Sequence, residues 1–276
     1  MTILITGGTG KTGRRLAEAL NTLGIPYRVA ARHPNDAEKG CKFDWQNRET
    51  WDEALHGVSG LYVVPRPGGP GTEMIDFIRT ARSKGASRVV VLSASLLPAG
   101  GPGAGEVHQW LQGGDQDWAV IRPSWFMENF SEGPHRQTII DENAIYSAAG
   151  DGKVGFVSAD DIAAVAAAVF LADHAPNSDL VLTGPAAISH DDAAAVLSRQ
   201  LGRNIRHLRL SAEALAQRHI AHGVPAPLAH ILAAMDDMIA RGAEDRTTAV
   251  VEAQTGRRPV DFTTFCSAHS TVWRAK

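Results

Sequence analysis

The sequence predicts an α/β fold in which helices cover a parallel, doubly wound sheet, followed by a smaller and mostly helical C-terminal cap. Short, continuously apolar runs are typical of strands that are buried on both faces. Helical patterns separate these runs, and strand–helix–strand repetition produces a parallel sheet. The predicted strands are Ile3–Ile5, Tyr27–Ala31, Leu61–Val64, Val89–Leu92 and Ala119–Ile121.

The intervening helices show apolar residues on one face and a glycine at the end. Leu16 and Leu20 share a face of the first helix, which we expect to end at Gly24. A later helix is expected to end at Gly85. Glycine is favoured there because it adopts the left-handed conformation that closes a helix. A further amphipathic pattern predicts a helix over 160–171.

The pattern changes after Ala175, where helical segments become dominant. We therefore predict two domains, residues 1–176 and residues 177–276, with the loop 124–150 also lining a pocket. Open α/β sheets bind ligands outside the carboxyl ends of their strands. We expect the C-terminal domain to be a cap that closes over that edge without continuing the sheet. Its predicted helices cover 190–201, 211–222, 227–241, 246–255 and 261–273.

Composition excludes several classes of protein. The chain has 276 residues, 44% of them hydrophobic, and a formal net charge of −3. It carries no basic excess of the kind that nucleic-acid binding requires. No run of about 20 apolar residues indicates a membrane span, and no basic, cleavable leader is visible at the N-terminus. The two cysteines stand in unrelated contexts, which fits a reducing cytoplasm.

A glycine-rich segment directly follows the first predicted strand and opens a helix. Gly7, Gly10 and Gly13 are spaced G-x-x-G-x-x-G. Such glycines allow a tight turn and a close approach of backbone to a pyrophosphate, which the N–H groups of the helix then bind. A triphosphate-binding P-loop would need a glycine at Ile5, so we exclude it. The predicted cofactor-binding residues here are Gly7, Thr9, Gly10, Lys11, Thr12 and Gly13.

The end of the second strand indicates which dinucleotide binds. A carboxylate there accepts from the ribose 2′-hydroxyl of NAD, whereas an arginine accommodates the 2′-phosphate of NADP. The strand ends at Arg32, whose guanidinium can bind a phosphate with two hydrogen bonds. NADP(H) is therefore the predicted cofactor, with further contacts from Pro65 and Ser93 at the ends of later strands.

Three segments together resemble a known family. They are Thr6–Gly13, Arg122–Phe130 with its R-P-x-x-F-M-E-N pattern, and Gly256–Pro259. Over nearly the whole chain the sequence resembles the NmrA-like atypical short-chain dehydrogenases, especially the branch of the ergot-alkaloid agroclavine and festuclavine dehydrogenases and their bacterial relatives. The resemblance implies a Rossmann domain, NADP(H) and a variable C-terminal cap that shapes the substrate pocket. It covers both reductases and non-catalytic sensors.

The usual proton donor of short-chain dehydrogenases is missing. These enzymes carry a serine after the fifth strand and a Tyr-x-x-x-Lys on the next helix. Ser93 supplies the serine, but no Tyr or Lys occurs between Ser95 and Trp118. Ketone reduction builds negative charge on oxygen and needs a donor, whereas a cationic iminium accepts hydride without one. Ser93 and His108 are the candidate catalytic residues, and Glu128 is a weaker candidate for a helper.

Apolar residues after the last predicted strand of the sheet are candidates for the substrate pocket. We expect Trp125, Phe126, Met127 and Asn129 to line it, although ordinary core packing explains the apolar ones equally well. A metal site at His219, His222 and His230 is not predicted, because no cysteine or acidic ligand completes it.

These patterns leave three hypotheses. The first is an NADPH-dependent reductase that delivers hydride to the C=N bond of a small organic substrate. The second is an NADPH-dependent ketone or quinone reductase in which Ser93 or His108 supplies the proton. The third is an NADP(H) sensor without catalysis. The expected partner is a small molecule, without nucleic acid or membrane. The sequence contains no long heptad repeat, so it does not indicate the oligomeric state.

Overall fold

The computed structural model describes residues 1–34, 38–114 and 117–274. The strands are β1 (Ile3–Thr6), β2 (Tyr27–Ala31), β3 (Gly40–Lys42), β4 (Gly60–Val63), β5 (Arg88–Leu92), β6 (Trp118–Pro123), β7 (Ala144–Ser147), β8 (Lys153–Val154), β9 (Ser178–Leu182), β10 (Ile188–Ser189) and β11 (Arg206–Arg209). The helices are α1 (Lys11–Thr22), α2 (Glu49–Ala54), α3 (Gly71–Ser83), α4 (Ala104–Gln112), α5 (Glu128–Ser131), α6 (Pro134–Asp141), α7 (Ala159–Leu171), α8 (His190–Leu201), α9 (Ala212–Ala221), α10 (Ala226–Ala240), α11 (Val250–Thr255) and α12 (Phe262–Ala268), followed by a 3₁₀ turn at Ser270–Trp273.

Contacts divide the chain into two compact units that alternate along the sequence. The first unit comprises Met1–Pro123, Ala159–Leu182 and Val250–Arg257. The second comprises Ser124–Ser158, Thr183–Ala249 and Arg258–Lys276. The predicted domain boundary after residue 176 divides the chain differently, because it cuts the chain once. No helix in the described ranges is long and apolar enough to cross a membrane.

The first unit is built on a parallel sheet, as predicted. Within the described ranges seven strands pair in the order β3-β2-β1-β4-β5-β6-β9. The register between β1 and its neighbours pairs Ile5 with Val29 and with Tyr62. The order reverses between β1 and β4, which makes the carboxyl end of β1 the switch point where doubly wound sheets bind ligands. The Rossmann fold is thereby confirmed.

Burial explains the continuous apolar composition of the central strands. All four residues of β1 and all four of β4 are buried, since helices cover both faces of the sheet. Helix α1 packs against α7, and α3 packs against α4. Gly24 and Gly85 have φ values of +67° and +100° just beyond their helices, as expected for helix ends.

A buried arginine links strand β5 to the C-terminal end of helix α7. Arg88, at the start of β5, is 6% exposed. Its Nη1 donates to the carbonyl oxygens of Val169, Phe170 and Ala172 at 2.8, 3.0 and 2.6 Å, and its Nε donates to Asp117 at 2.8 Å. Helix α7 leaves these last carbonyls without partners of its own, so the guanidinium caps it.

Two strands of the sheet correct the sequence analysis. The prediction that the chain after residue 176 does not continue the sheet is wrong, because β9 forms the edge strand beside β6, with Leu180 opposite Ile121. Strand β3 was not predicted, because its three residues are too short for a periodic pattern.

The bounds of two helices also differ from the prediction. The predicted helix over 246–255 begins at Val250, and that over 261–273 ends at Ala268 before the 3₁₀ turn.

The second unit has a core of its own. Strand β7 pairs with β11 in parallel, and β8 pairs with β10 in antiparallel fashion. Ser189 caps helix α8, as its sequence suggests, by accepting a hydrogen bond from the Asp192 amide at 3.1 Å. The core packs apolar side chains from several helices and strands, including Phe130, Ile145, Phe156, Leu197, Phe265 and Trp273.

Candidate functional site

The glycine-rich loop between β1 and α1 has the geometry that the motif predicts. Gly7 has φ +61°, which favours glycine. A Cβ on Gly13 would lie 2.4 Å from the Gly7 carbonyl oxygen, so helix and loop approach too closely for any side chain there. The Gly10 amide donates to the same carbonyl at 2.9 Å. The result is a tight turn that leads directly into the helix.

The first turn of α1 has a composition that suits an anion. Its N-cap is Gly10, and none of the described residues of the turn is acidic. Backbone N–H groups at such a helix start, together with the helix dipole, favour phosphate. Thr12 and Gly13 are buried and shape the loop from within, whereas Lys11 is half-buried at the start of the helix.

A cavity of about 430 Å³ opens beside this loop within the first unit. Gly7, Thr9, Arg32 and Pro65 line it, so four of the predicted cofactor-binding residues lie around one space. Arg32 is exposed and forms no ion pair with any described residue. Its guanidinium is therefore available to a phosphate. The dimensions and donors of this cavity fit the adenosine part of a dinucleotide.

The segment after β3 also lines this cavity, and sequence analysis missed it. Phe43 and Trp45 form an edge-to-face pair with ring centroids 4.9 Å apart, which provides an apolar wall. Asp44 Oδ1 accepts from the Gln46 amide at 3.0 Å. Arg66 lines the opposite part and pairs with Glu73 at 3.0 Å. In the sequence, the alternation of aromatic and polar residues after a short strand could have indicated this wall of the cavity.

Ser93 lies at the carboxyl end of β5. Its amide donates to the Ile121 carbonyl at 2.7 Å, which fixes the backbone beside β6. Its hydroxyl is buried and has no hydrogen-bond partner among the described residues. A hydroxyl without a partner is free to donate to a ligand oxygen. Ser93 does not line the 430 Å³ cavity, and its predicted contact with cofactor remains a prediction.

His108 lies in the core of the first unit, although its helix could equally have placed it on the surface. The residue is 2% exposed, and its ring lies 6.1 Å from that of Trp118. Neither ring nitrogen has a hydrogen-bond partner in the described part of the chain. Burial lowers the pKa of His108; Asp179 opposes this shift and Arg122 adds to it. A neutral, enclosed imidazole is a poor proton donor near pH 7, so Ser93 is the stronger candidate.

The predicted substrate-pocket residues belong to the second unit. Met127 is 1% exposed and lines a cavity of about 180 Å³ together with Phe156 and Phe262. Trp125 and Phe126 are half-buried, and a backbone bridge joins Phe126 to Val157. Asn129 is half-buried in α5, and Glu128 beside it is fully buried. Their contact with a substrate remains a prediction.

The histidines that the sequence analysis considered for a metal site lie at two places in the second unit. No group of three His, Cys, Asp or Glu side chains within residues 1–34, 38–114 and 117–274 has the arrangement of a metal site. His219 and His222 instead line a cavity of about 210 Å³, and His230 lies elsewhere on α10 and is exposed.

Comparisons with known proteins agree with this geometry. Residues 7–173 match a family described as NAD(P)H-binding. The chain is 38% identical to the uncharacterized oxidoreductase YesF of Bacillus subtilis, covering 98% of this chain and 96% of that protein. It is 40% identical to an agroclavine dehydrogenase of Claviceps fusiformis, covering 99% of each.

A solved structure shares the fold. An NADPH-dependent quinone oxidoreductase of Escherichia coli, complexed with NADPH, superposes with a TM-score of 0.82 at 22% identity, covering 99% of this chain and 100% of that one. The glycine loop, the switch-point cavity and these similarities lead to one assignment. The chain belongs to the NAD(P)H-binding oxidoreductases of the atypical short-chain dehydrogenase type, in the group that includes the agroclavine and festuclavine dehydrogenases.

Proposed function

We propose that this protein is an NADPH-dependent reductase that acts on the C=N bond of a small organic imine or iminium. The observation that carries the choice of cofactor is Arg32, which lines the glycine-loop cavity without an ion-pair partner among the described residues. An arginine at the end of β2 accommodates a 2′-phosphate, whereas NAD-specific sites place a carboxylate there. The carboxylate in the same cavity, Asp44, belongs to the segment after β3, and its Oδ1 accepts from the Gln46 amide.

The choice of substrate rests on a missing proton donor. None of the three tyrosines, Tyr27, Tyr62 and Tyr146, is followed by a lysine four residues later. Tyr62 lies in β4, and burial raises the pKa of its hydroxyl, so it cannot replace the usual donor. The reduced nicotinamide supplies a hydride. When hydride adds to the carbon of an iminium, the π electrons of the C=N bond move to nitrogen. The product is a neutral amine, so no proton is required.

A second candidate is the reduction of a ketone or quinone, which Ser93 favours. Carbonyl reduction needs a donor to the developing alkoxide. The Ser93 hydroxyl is buried and has no hydrogen-bond partner within the described ranges. The similar structure from Escherichia coli is that of a quinone oxidoreductase, which is consistent with this alternative. A serine alone lacks the acidity of a tyrosine beside a lysine, so we rank the iminium first.

The cofactor is tested by titration with NADPH and with NADH, followed by fluorescence. Loss of one charge-assisted phosphate contact costs about 1.5–3 kcal/mol, so Arg32→Ala should weaken NADPH binding roughly ten- to a hundredfold. NADH binding should change less than about twofold. Arg79→Ala is the matched control, since Arg79 is exposed on α3 and lies outside the cavity. Equal losses for both dinucleotides would contradict NADP specificity.

The reaction is tested with three substrate panels: N-alkylated cyclic iminium ions, ketones and quinones. We expect turnover of the iminium ions at a rate that hardly changes between about pH 6 and pH 8, because no protein group delivers a proton. If ketones or quinones react instead and Ser93→Ala abolishes that reaction, the second candidate replaces the first. Tight NADPH binding without turnover of any panel would indicate a sensor.

A further inference from the structure

The second unit contains a cavity that includes neither the glycine loop nor the predicted residues Trp125, Phe126, Met127 and Asn129. Its volume is about 210 Å³. It shares no residue with the cavity of the glycine loop, and all its lining residues belong to the second unit. The lining side chains that matter below are His135, Tyr146, Arg218, His219, His222 and Val224.

The lining of this cavity carries one permanent cation and three groups that become cations when protonated. Three imidazoles and one guanidinium contribute, and no carboxylate belongs to the lining. His222 Nδ1 donates to the Arg218 carbonyl at 2.7 Å, so Nε2 can donate to an anion only when the ring is protonated. Such a wall complements a ligand that presents acceptor atoms and negative charge.

Glu142, which pairs with two of the lining side chains, accepts a hydrogen bond on each of its carboxylate oxygens. Its Oε1 accepts from Arg218 Nη2 at 2.7 Å, and its Oε2 accepts from the Tyr146 hydroxyl at 2.6 Å. These bonds hold Arg218 in place, with its guanidinium carbon 3.6 Å from the centroid of the Tyr146 ring. The guanidinium has five N–H donors, and only Nη2 has a described partner, so donors remain for a ligand.

The remaining walls suit an aromatic body. The Tyr146 ring and the stacked guanidinium provide flat faces, and Val224 and Leu215 provide apolar contact. A dry apolar cavity of about 150 Å³ is enough to hold benzene. A cavity of about 210 Å³ is therefore large enough for a small aromatic ring system.

We propose that this cavity is a second ligand site, which binds a small aromatic carboxylate with its ring against Tyr146 and its carboxylate toward Arg218 and His219. The site is distinct from the dinucleotide cavity, since the two share no lining residue. The ligand class follows from the combination of donors without a lining carboxylate and flat apolar walls.

Affinity for such an anion should depend on pH in a defined direction. Burial lowers the pKa of His219, and the nearby His222 and Arg218 lower it further. Glu142 and Tyr146 on the facing elements are tied to Arg218 and to each other, and His135 on α6 adds a third imidazole. A bound carboxylate favours the protonated imidazole, so binding takes up a proton and strengthens as pH falls.

The test uses the full-length protein without dinucleotide, so that it does not depend on the reductase proposal. The probe is 2-naphthoate, measured by calorimetry, with 2-naphthamide as its neutral match and acetate as a carboxylate without a ring. We expect saturable binding of naphthoate in the micromolar to millimolar range, about tenfold weaker binding of the amide and none of acetate. Naphthoate should bind at least about threefold more tightly near pH 6 than near pH 8, and the amide equally at both.

Two variants locate the binding. Val224→Trp fills the cavity, and His219→Ala removes a donor; each should weaken naphthoate binding at least about fivefold. His230→Ala is the matched control, because His230 is exposed on α10 and does not line the cavity. Thermal unfolding checks that each variant is folded. The proposal is overturned by absence of saturable binding up to about 10 mM, or by binding that neither cavity variant weakens.

Discussion

The glycine-loop cavity and the cavity around Arg218 and His219 depend on different parts of the chain. In the first unit, the site beside β1 depends on backbone: a left-handed Gly7, a glycine contact at Gly13 and the N–H groups that open α1. In the second unit, the cavity depends on side chains, and its lining is drawn from α6, β7 and α9. The glycine loop consists of consecutive residues. The lining of the second cavity comes together only when segments that are distant in the sequence pack against each other.

This difference determines how each site should respond to mutation. A backbone site has no tolerance for an added atom, because the atoms that would have to move belong to the main chain. A side-chain site can lose one member and keep the others, so single substitutions there should have graded effects. Of the three predictions that follow, in order of decreasing expected effect, the first and the last test this contrast, and the second tests a buried carboxyl in the core of the second unit.

Gly13→Ala should damage the backbone site severely. The new Cβ would lie 2.4 Å from the Gly7 carbonyl oxygen and 2.7 Å from the Cα of Gly8, so helix or loop must shift. We expect the free energy of unfolding to fall by about 2–4 kcal/mol and NADPH affinity to fall at least about a hundredfold. Urea unfolding and fluorescence titration measure the two effects.

A second glycine provides the control for that substitution. Gly113 has an ordinary φ of −83°, and the nearest atom to a Cβ there lies 3.5 Å away. Gly113→Ala should therefore change stability by less than about 1 kcal/mol and leave NADPH binding intact. If Gly13→Ala behaved like Gly113→Ala, the loop would be more tolerant than its geometry implies, and the contrast between the two cavities would be lost.

Asp236→Asn should stabilise the second unit at neutral pH. Asp236 is 7% exposed, and its Oδ2 accepts from the Ala148 amide at 2.9 Å. Burial raises its pKa from 3.8 to about 6. The folded state thus holds the proton more tightly than the unfolded state, so stability falls as pH rises from about 4 to about 6. A shift of this size corresponds to about 3 kcal/mol.

The asparagine keeps an acceptor for the Ala148 amide and does not ionise. The variant should exceed the wild-type protein in stability by about 1–3 kcal/mol at pH 7 and lose that advantage near pH 4. Asp237→Asn is the control, because Asp237 is half-buried and pairs with Arg241 one turn later. A constant difference between Asp236→Asn and wild type across this pH range would argue against a buried, titrating carboxyl.

Tyr146→Phe should have the smallest effect. It removes the hydroxyl that donates to Glu142 at 2.6 Å, but it keeps the ring beneath the Arg218 guanidinium. A partly exposed hydrogen bond of this kind contributes about 0.5–1 kcal/mol. Tyr146→Leu also removes the cation–π contact and should cost roughly 0.5–1 kcal/mol more. Thermal unfolding distinguishes the two, and equal losses would mean that the ring contact contributes nothing.

Much of the first unit could be predicted because its features are local. The strands from β1 to β6, apart from β3, are short and mainly apolar, and Gly24 and Gly85 mark helix ends by their backbone conformation. Strand β9 could not be assigned to the sheet, because a short strand after a long helical segment carries no mark of its partner. Only its pairing with β6 shows that β9 belongs to the sheet.

The candidate sites divide in the same way. Gly7, Thr9, Arg32 and Pro65 were predicted from motif and strand position, and the structure places them around one cavity. Phe43, Trp45 and Arg66 line the same cavity, but no motif indicates them. His108 was predicted as a candidate catalytic residue, yet it is buried against Trp118. Amphipathic spacing alone did not establish which face of α4 was covered.

The sequence by itself determined the Rossmann sheet, the dinucleotide loop and the arginine at the end of β2. These features depend on glycine conformations, on hydrophobic periodicity and on positions fixed relative to a strand end. Only the tertiary structure decided that β9 closes the sheet, that Arg88 caps α7 and that three histidines and Arg218 surround one cavity. The physical reason is that these contacts join residues far apart in the chain, and no local conformational preference specifies such partners.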